Sequence, residues 1–476
     1  MSTRRQFLAS AAAAPLAAQT SRPARNILLL IADDLGLHTG AYGDRTARTP
    51  HLDRLAGQGV RFTHAFCTTA SCSASRSVIL SGLHNHANGQ YGHAHNEHHF
   101  AYLPFVRPLP RLLKDAGYRT GVIGKLHVNP LEAFGWDLHA EGEQRNVVRM
   151  AQRAREFIQA AAGRPWYLHV GYGDPHRAQE GFGNRDYPGV ERLRFDPAKV
   201  AVPSFLPDNA DTRGEIAEFY EAVHRLDQGV GFMLDVLRET GQLENTLVLF
   251  CSDNGMAFPN AKTNVYDAGA RLPLIVRSPS QTRRGLVNNA MVSWVDFVPT
   301  CLDWAGARPP EYPFHGRSFL PVLEQENPAA WDEVYFSHTF HEITMYYPMR
   351  GKRTRRYKYI RNLFPELEYP HASDLWASAT WQSLLRQGGG ARVGSRPVAG
   401  YLHRAAEELY DITRDPDEVT NLAGSPEHRQ ALETLRRQVH AWRQQTKDPW
   451  TILSNYRGEG TDGVPGSGAP RRRKSG

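Results

Sequence analysis

Residues 26–34 read NILLLIADD, an uninterrupted apolar run that ends in two aspartates. A strand buried on both faces of a parallel sheet has this pattern, because neither face can carry polar side chains. Further strands are predicted at residues 118–125, 166–172, 246–252 and 272–277. Helical periodicity is found at residues 51–58, 109–116, 147–161, 214–240 and 292–305. Strands that alternate with helices indicate a doubly wound α/β domain.

The composition of the chain changes after about residue 331. Residues 333–340 and 355–362 predict antiparallel strands, and residues 427–446 predict an amphipathic helix. We therefore divide the chain into a large α/β domain at residues 24–328 and a smaller α+β domain at residues 329–455. A basic tail rich in Gly, Pro and Ser, residues 456–476, is predicted to be disordered.

The N-terminus resembles an export signal. Residues 2–8 read STRRQFL and precede an Ala-rich stretch, which is typical of twin-arginine signals. A basic N-terminus without a targeting role is the alternative. The signal interpretation covers residues 1–20 and predicts a periplasmic or secreted protein carried by the twin-arginine (Tat) machinery. Because no apolar stretch reaches about 18 residues, an integral membrane protein is not expected.

Composition excludes several classes of protein. With 476 residues, 41% hydrophobic and 22% charged, the chain is an ordinary globular protein and not a disordered or coiled-coil one. Basic residues at the two ends account for nearly all of the formal charge of +7, so nucleic-acid binding is not predicted. Four cysteines make no disulfide framework. Twenty-one histidines suggest a polar site that handles a metal or protons.

Polar residues follow the predicted strands where those strands end. These residues are Asp33 and Asp34, Lys125 and His127, Asp174 and His176, and Asp253 and Asn254. Each group alone is compatible with a solvated turn. Four groups at equivalent strand ends indicate a ligand site, because the carboxyl ends of the strands meet at one edge of such a sheet. The oxygen donors Asp33, Asp34, Asp253 and Asn254 suit Ca²⁺ or Mg²⁺ better than zinc.

Cys72 precedes an apolar, helix-compatible stretch at residues 77–82. This arrangement predicts a helix N-terminus at Cys72, where backbone N–H groups attract anions and lower a thiol pKa. The cysteine is then either a nucleophile or a buried structural thiol.

The motifs around these residues resemble those of the sulfatase family. Cys72, Ala74 and Arg76 match the family signature C-x-[P/A]-x-R, in which the cysteine is oxidised to formylglycine. The strand-end groups match further family segments, including Asp174-Pro175-His176 and Asp253-Asn254-Gly255. The resemblance implies an alkaline phosphatase-like fold with a large mixed sheet between helices. It also implies a formylglycine-generating enzyme as a partner, and a Ca²⁺ ion (alternatively Mg²⁺) held by Asp33, Asp34, Cys72, Asp253 and Asn254.

The resemblance also implies a mechanism. Hydrated formylglycine at position 72 attacks the sulfur and displaces the nitrogen or oxygen of the substrate, and its second hydroxyl then lets the intermediate release sulfate. Lys125 and Lys262 neutralise the sulfuryl oxygens, and Arg76 holds the diol and the carboxylates. His176 is the expected acid for the leaving group, and His127 is the expected base for the collapse.

Within the family, the chain is similar to the sulfamidase branch, which removes N-linked sulfate from glucosamine of heparin and heparan-type glycans. Segments such as HEITMYYPMR at residues 341–350 carry this similarity, and they suggest His98, Glu342 and Arg350 as sugar contacts. A surface or inter-domain ion pair is the alternative for these three residues. Lys262 departs from the branch, which carries arginine there. Competing interpretations are an O-sulfatase, a phosphoester or phosphonate hydrolase of the same superfamily, and a non-catalytic glycan-binding protein. Homodimerisation is compatible with the sequence.

Overall fold

The computed structural model describes residues 25–451. Its strands are β1 Asn26–Ala32, β2 Val60–Phe66, β3 Arg119–Gly124, β4 Leu138–Ala140, β5 Trp166–Gly171, β6 Thr246–Ser252, β7 Arg271–Arg277, β8 Leu286–Ser293, β9 Glu333–His338, β10 Met349–Thr354, β11 Tyr357–Asn362, β12 Arg392–Val393, β13 Arg396–Pro397 and β14 Glu407–Asp411. Its helices are α1 Pro50–Gln58, α2 Cys72–Ser81, α3 Asn85–Asn88, α4 Leu109–Asp115, α5 Val147–Gln159, α6 Ala210–Glu239, α7 Asp267–Ala270, α8 Phe297–Ala305, α9 Ser373–Trp376, α10 Ala379–Gln387, α11 Val398–Leu402 and α12 Arg429–Gln445.

The main sheet has eight strands in the order β4-β3-β5-β1-β6-β7-β2-β8. Strand β1 pairs in parallel with β5 and β6, whereas β7 is antiparallel to both of its neighbours. Alternate residues of β1 enter two separate hydrophobic clusters, Ile27 and Leu29 on one face and Leu28 and Leu30 on the other. This burial on both faces explains the continuous apolar run, and the expectation of a doubly wound mixed sheet between helices is confirmed.

A second sheet has four antiparallel strands in the order β14-β11-β10-β9. One face shares the hydrophobic cluster of the main sheet through Phe336, Met349 and Ile360. Helix α12 covers the other face, where Leu435 and Val439 pack in a cluster with Leu409 and Tyr359. This sheet and helix form the α+β part that the sequence predicts. The boundary between residues 328 and 329 stays a prediction, and the proposed segments 1–20 and 456–476 lie outside the described residues.

One predicted helix is partly wrong. Residues 292 and 293 do not begin a helix: they end strand β8, in which Val292 pairs with Ala65 of β2. A capping box at Ser293 and Asp296 then stops the strand and leads through a short turn to α8. Sheet pairing overrides the local periodicity here. In the part of the chain that the structure describes, no helix is long and apolar enough to cross a membrane.

Candidate active site

The carboxyl ends of four adjacent strands, β3, β5, β1 and β6, bring the predicted polar segments together at one edge of the main sheet. Two backbone hydrogen bonds connect these segments. The Asp33 N–H donates to the Asp174 carbonyl at 3.0 Å, and the Asp253 N–H donates to the Ala32 carbonyl at 3.0 Å. The strand-end groups therefore lie side by side, as the topology of an open α/β sheet requires.

Four oxygen-bearing side chains occupy one buried space at this edge: Asp33, Asp34, Asp253 and Asn254. The Asp34 N–H donates to Asp253 Oδ1 at 3.0 Å, and Asn254 Nδ2 donates to Asp34 Oδ1 at 2.5 Å. Asp33 Oδ1 and Asn254 Oδ1 are buried and accept no hydrogen bond from any residue between 25 and 451. Buried oxygens without a donor, in a set of three carboxylates and one amide, fit a hard cation such as Ca²⁺ or Mg²⁺.

Three basic side chains neutralise the three buried carboxylates. The ion pairs are Lys125–Asp33 at 2.6 Å, Arg76–Asp253 at 2.8 Å and Lys262–Asp34 at 2.9 Å. Although burial favours the neutral acid, Lys125 and His176 hold the pKa of Asp33 well below its usual range. Burial raises the pKa of Asp253, and the charges of Asp33 and Asp34 raise it further, although Arg76 acts in the opposite direction. A cation bound among these carboxylates relieves their mutual repulsion.

Cys72 is the first residue of α2, as predicted, and it is fully buried. Its thiol donates a hydrogen bond to Asp34 Oδ1 at 3.5 Å. The expected lowering of its pKa is wrong: burial, reinforced by the Asp34 carboxylate, raises the pKa of the thiol well above its usual range. Desolvation here outweighs the helix dipole, so the unmodified thiol is a poor nucleophile. The other three cysteines are buried free thiols as well, Cys67, Cys251 and Cys301.

Arg76 lies one turn after Cys72 in α2 and is also fully buried. Its Nε donates to Asp253 Oδ2 at 2.8 Å, and its Nη1 donates to the Lys125 carbonyl at 2.8 Å. The guanidinium therefore connects the end of β6 to the end of β3 and orients both. The four-residue spacing of Cys72 and Arg76 puts the two side chains on the same face of the helix.

Three residues of the site have left-handed backbone conformations. Asp34 and His127 both have φ of 63°, and Thr263, which follows Lys262, has φ of 68°. Such conformations cost roughly 1–3 kcal/mol each in non-glycine residues. The surrounding structure holds Thr263 through the hydroxyl of Tyr369, which donates to the Thr263 carbonyl at 2.8 Å. Backbone strain is thus concentrated where side chains must be aimed at one point.

Lys262 forms an ion pair with Asp374, a residue that no sequence motif identifies. Its Nζ lies 2.9 Å from Asp34 Oδ2 and 2.7 Å from Asp374 Oδ2, and it is 3.3 Å from His176 Nε2. Asp374 belongs to the short helix α9, far along the chain and outside any motif. Lys262 and His176 hold the pKa of Asp374 near 2 against the effect of burial. No local sequence signal distinguishes this aspartate from a surface residue.

These groups open onto a cavity of about 750 Å³. Its walls include Asp33, Lys125, His127, His176, Lys262 and Asp374, together with the proposed sugar contacts His98 and Glu342. His98 Nδ1 accepts from the Ile343 N–H at 3.1 Å, and Glu342 accepts from the Ser373 N–H at 2.9 Å. Both side chains therefore hold neighbouring loops together and also face the cavity.

Arg350 does not join them. Its side chain is fully buried in β10, and its guanidinium donates to both carboxylate oxygens of Asp448, at 2.7 and 3.1 Å, and to the His338 carbonyl. It is not among the residues that line the cavity. The prediction of a substrate contact at Arg350 is therefore corrected to a structural role. The alternative that the sequence left open, an ion pair, describes this residue.

Comparison with known proteins identifies relatives of this chain. The sulfatase family profile matches residues 25–307, and the profile "N-sulphoglucosamine sulphohydrolase, C-terminal" matches residues 260–375. The chain is 41% identical over 464 residues to human N-sulphoglucosamine sulphohydrolase, with 90% of this chain and 92% of the human protein covered. It is 28% identical to an ulvan-active sulfatase from Formosa agariphila, with 88% and 74% covered.

A solved structure shares the fold at lower identity. It is described as a complex with its substrate D-glucosamine-2-N,6-O-disulfate, and it superimposes with a TM-score of 0.66 at 21% identity. The superposition covers 89% of this chain and 98% of the other.

Proposed function

The chain belongs to the sulfatase family of hydrolases, and from that premise we propose that it removes N-linked sulfate from glucosamine residues of heparin or heparan-type glycans. The net reaction is R–NH–SO₃⁻ + H₂O → R–NH₃⁺ + SO₄²⁻. The proposal includes conversion of Cys72 to formylglycine and a divalent cation, preferably Ca²⁺, at Asp33, Asp34, Asp253 and Asn254.

One observation carries the N-sulfate assignment. The segment matched by the sulphoglucosamine sulphohydrolase C-terminal profile, residues 260–375, supplies the part of the cavity wall formed by Lys262, Glu342 and Asp374. Branch similarity thus extends beyond the motifs that all sulfatases share, to the segment that brings Glu342 and Asp374 to the cavity, although Lys262 itself departs from the branch. The identity to the human relative over nine-tenths of this chain supports the same assignment.

The residues of the chain divide the chemistry among them. Formylglycine, once formed, supplies a hydrated aldehyde as nucleophile, and the bound cation supplies a Lewis acid. Lys125 and Lys262 neutralise negative charge on the sulfuryl oxygens as the S–N bond breaks. His176 holds the proton that the departing nitrogen takes up, and His127 accepts the proton when the sulfate ester collapses. Arg76 keeps the carboxylates in place.

The test is sulfate release from a panel of substrates. N-sulfoglucosamine, 6-O-sulfated N-acetylglucosamine, an aryl sulfate and a phosphate monoester are each offered to enzyme produced with a formylglycine-generating partner. We expect release from the N-sulfated sugar alone. Release only from the O-sulfates contradicts the branch assignment and leaves the sulfatase mechanism intact. Phosphate release without sulfate release favours the phosphoester alternative. No product from any substrate, despite confirmed formylglycine, favours a glycan-binding protein.

The lysine at position 262 favours an O-sulfatase, because the sulfamidase branch carries arginine at this position.

We expect Lys262→Met to lower kcat by about 10²–10³-fold, the usual effect of removing one donor that stabilises developing charge. The variant keeps the length of the side chain but leaves Asp34 and Asp374 without their shared cation. Steady-state kinetics on the preferred substrate measure the effect. The control is Lys199→Met, which changes an exposed lysine. A kcat of Lys262→Met within threefold of wild type contradicts the proposal that Lys262 stabilises charge on the sulfuryl oxygens.

The proposal extends to maturation and location. We infer export through the twin-arginine machinery to the periplasm or the exterior, supported by the paired Arg4 and Arg5 before an Ala-rich stretch. A protein exported in folded form must have Cys72 modified before its helix is buried, so the formylglycine-generating partner acts in the cytoplasm. Homodimerisation and disorder of the basic tail stay predictions.

A further inference from the structure

Three histidines form a cluster at the rim of the active-site cavity, separate from the carboxylates. His93 and His95 lie in the loop after α3, and His127 follows β3. Their ring centroids are 5.0 Å apart for His93 and His95, 4.9 Å for His93 and His127, and 4.5 Å for His95 and His127. One ring nitrogen of each lies within 4.8 Å of the other two. The arrangement places three nitrogen donors close together, on two separate loops.

The hydrogen bonds of these rings are incomplete. His93 Nδ1 and His127 Nδ1 are buried and have no partner among the described residues. His127 Nε2 instead faces His95 Nδ1 at 2.5 Å. A structural histidine normally satisfies both nitrogens through hydroxyl, carbonyl or carboxylate groups. His86 does so, because its nitrogens bond Ser337 and Thr446. Other buried histidines, such as His169, also have nitrogens without a partner, so what distinguishes this cluster is that three rings lie together.

The spacing matches that of a three-histidine metal site. With Zn–N distances of 2.0–2.1 Å and tetrahedral angles, imidazole centroids lie about 5 Å apart. Burial lowers the pKa of all three rings, so they are neutral and able to ligate at pH 7. The charges that face the cluster are mixed. Positive charge comes from Lys125, Lys262 and Arg76, each of which is paired with a carboxylate, while Glu97 and Glu342 add negative charge beside His95.

We propose that His93, His95 and His127 bind a divalent transition metal such as Zn²⁺, and that this binding inhibits the enzyme. Imidazole nitrogens select zinc or copper, whereas the carboxylate site below selects a hard cation, so the two sites differ in metal preference. The claim of inhibition rests on the proposed function, since a metal bound to His127 removes the base for release of sulfate. The claim of metal binding rests on the histidine cluster alone.

Zinc binding is measured first, without substrate. The enzyme is loaded with Ca²⁺, and Zn²⁺ is titrated against a chromophoric chelator, with Co²⁺ as a spectroscopic probe of tetrahedral nitrogen ligation. We expect one zinc site, weakened at least about tenfold in His95→Gln. The matched control is His99→Gln, an exposed histidine of the same loop, which should bind zinc as wild type does. Zinc affinity in Asp253→Asn separates the two sites: it should be unchanged if zinc binds the histidines. Equal affinity in wild type and His95→Gln, or zinc lost with Asp253→Asn, overturns the site.

Inhibition is measured second, as sulfate release with increasing Zn²⁺, each variant being compared with its own zinc-free rate. We expect wild type to lose activity over the concentration range in which zinc binds, and to regain it with a chelator. His95→Gln should require at least about tenfold more zinc. Binding that depends on His95 but leaves activity unchanged overturns the claim of inhibition. It would also show that His127 does not act as proposed, while the metal site itself would stand.

Discussion

Replacing Cys72 with alanine is expected to lower sulfate release by at least about 10³-fold, because the variant lacks the side chain from which the proposed formylglycine nucleophile is made. The fold should survive, since alanine is an excellent helix former and fits the space that the thiol leaves in α2. Burial also raises the pKa of the Cys72 thiol, which disfavours direct attack by an unmodified cysteine. Activity therefore reports on the modification and not on the cysteine itself.

The control for this experiment is Cys301→Ala. Cys301 is another fully buried free cysteine, but it lies in α8, away from the cavity. It should keep wild-type kcat at a modest cost in stability. Mass spectrometry of the peptide that carries position 72 is made on the same wild-type preparation. Substantial turnover by Cys72→Ala, or full turnover by wild type with an unoxidised thiol, contradicts the formylglycine mechanism.

Replacing Asp448 with alanine is expected to reduce the free energy of unfolding by about 3–5 kcal/mol. Asp448 accepts hydrogen bonds from Arg350 and from Arg443 Nε at 2.9 Å, and all three side chains are buried. Removing the carboxylate leaves two guanidinium groups in the interior without their common counter-charge. The urea midpoint of unfolding, at constant m-value, measures the loss.

The effect of pH on this variant has a defined sign. Burial opposes ionisation of Asp448, but Arg350 and His86 hold its pKa far below its usual range. A carboxyl group with a lowered pKa stabilises the fold above its unfolded pKa of about 4 and loses that contribution as the pH falls through the folded value. The difference between wild type and Asp448→Ala should therefore be constant from pH 7 to about pH 5 and shrink in strong acid.

An exposed ion pair provides the comparison. Asp235→Ala breaks the pair with Arg238 on the surface of α6 and should cost less than about 1 kcal/mol. If Asp448→Ala is no less stable than Asp235→Ala, the buried network does not hold the C-terminal part in place. A large rise in KM in Arg350→Met with little loss of stability would return Arg350 to the substrate.

Parts of the fold were predictable because their signal is local. The apolar run of β1 and the alternation of strands and helices indicated the doubly wound sheet, and β6 was predicted with its observed ends. Seven strands were not predicted: β2, β4, β8, β10, β12, β13 and β14. Strand β2 mixes buried and half-buried residues and has a register shift against β8, so its sequence lacks a clean period of two. Its pairing partners decide its conformation.

For the site, sequence alone determined which residues could carry the chemistry. Asp33, Asp34, Asp253 and Asn254 follow strands, and Cys72 and Arg76 are spaced to share one helix face, so motif and periodicity were sufficient. These signals survive in one dimension because strand ends of a doubly wound sheet always meet at one edge.

Only the tertiary structure decided what surrounds those residues. It brought Asp374 to Lys262, buried Arg350 against Asp448, raised the pKa of Cys72 and gathered three histidines at the rim of the cavity. Each of these outcomes depends on contacts between residues distant in sequence, or on desolvation, which is set by the packing of many elements at once. Neither quantity is encoded in the local pattern of residues, because both arise when the sheets, helices and loops close around a common interior.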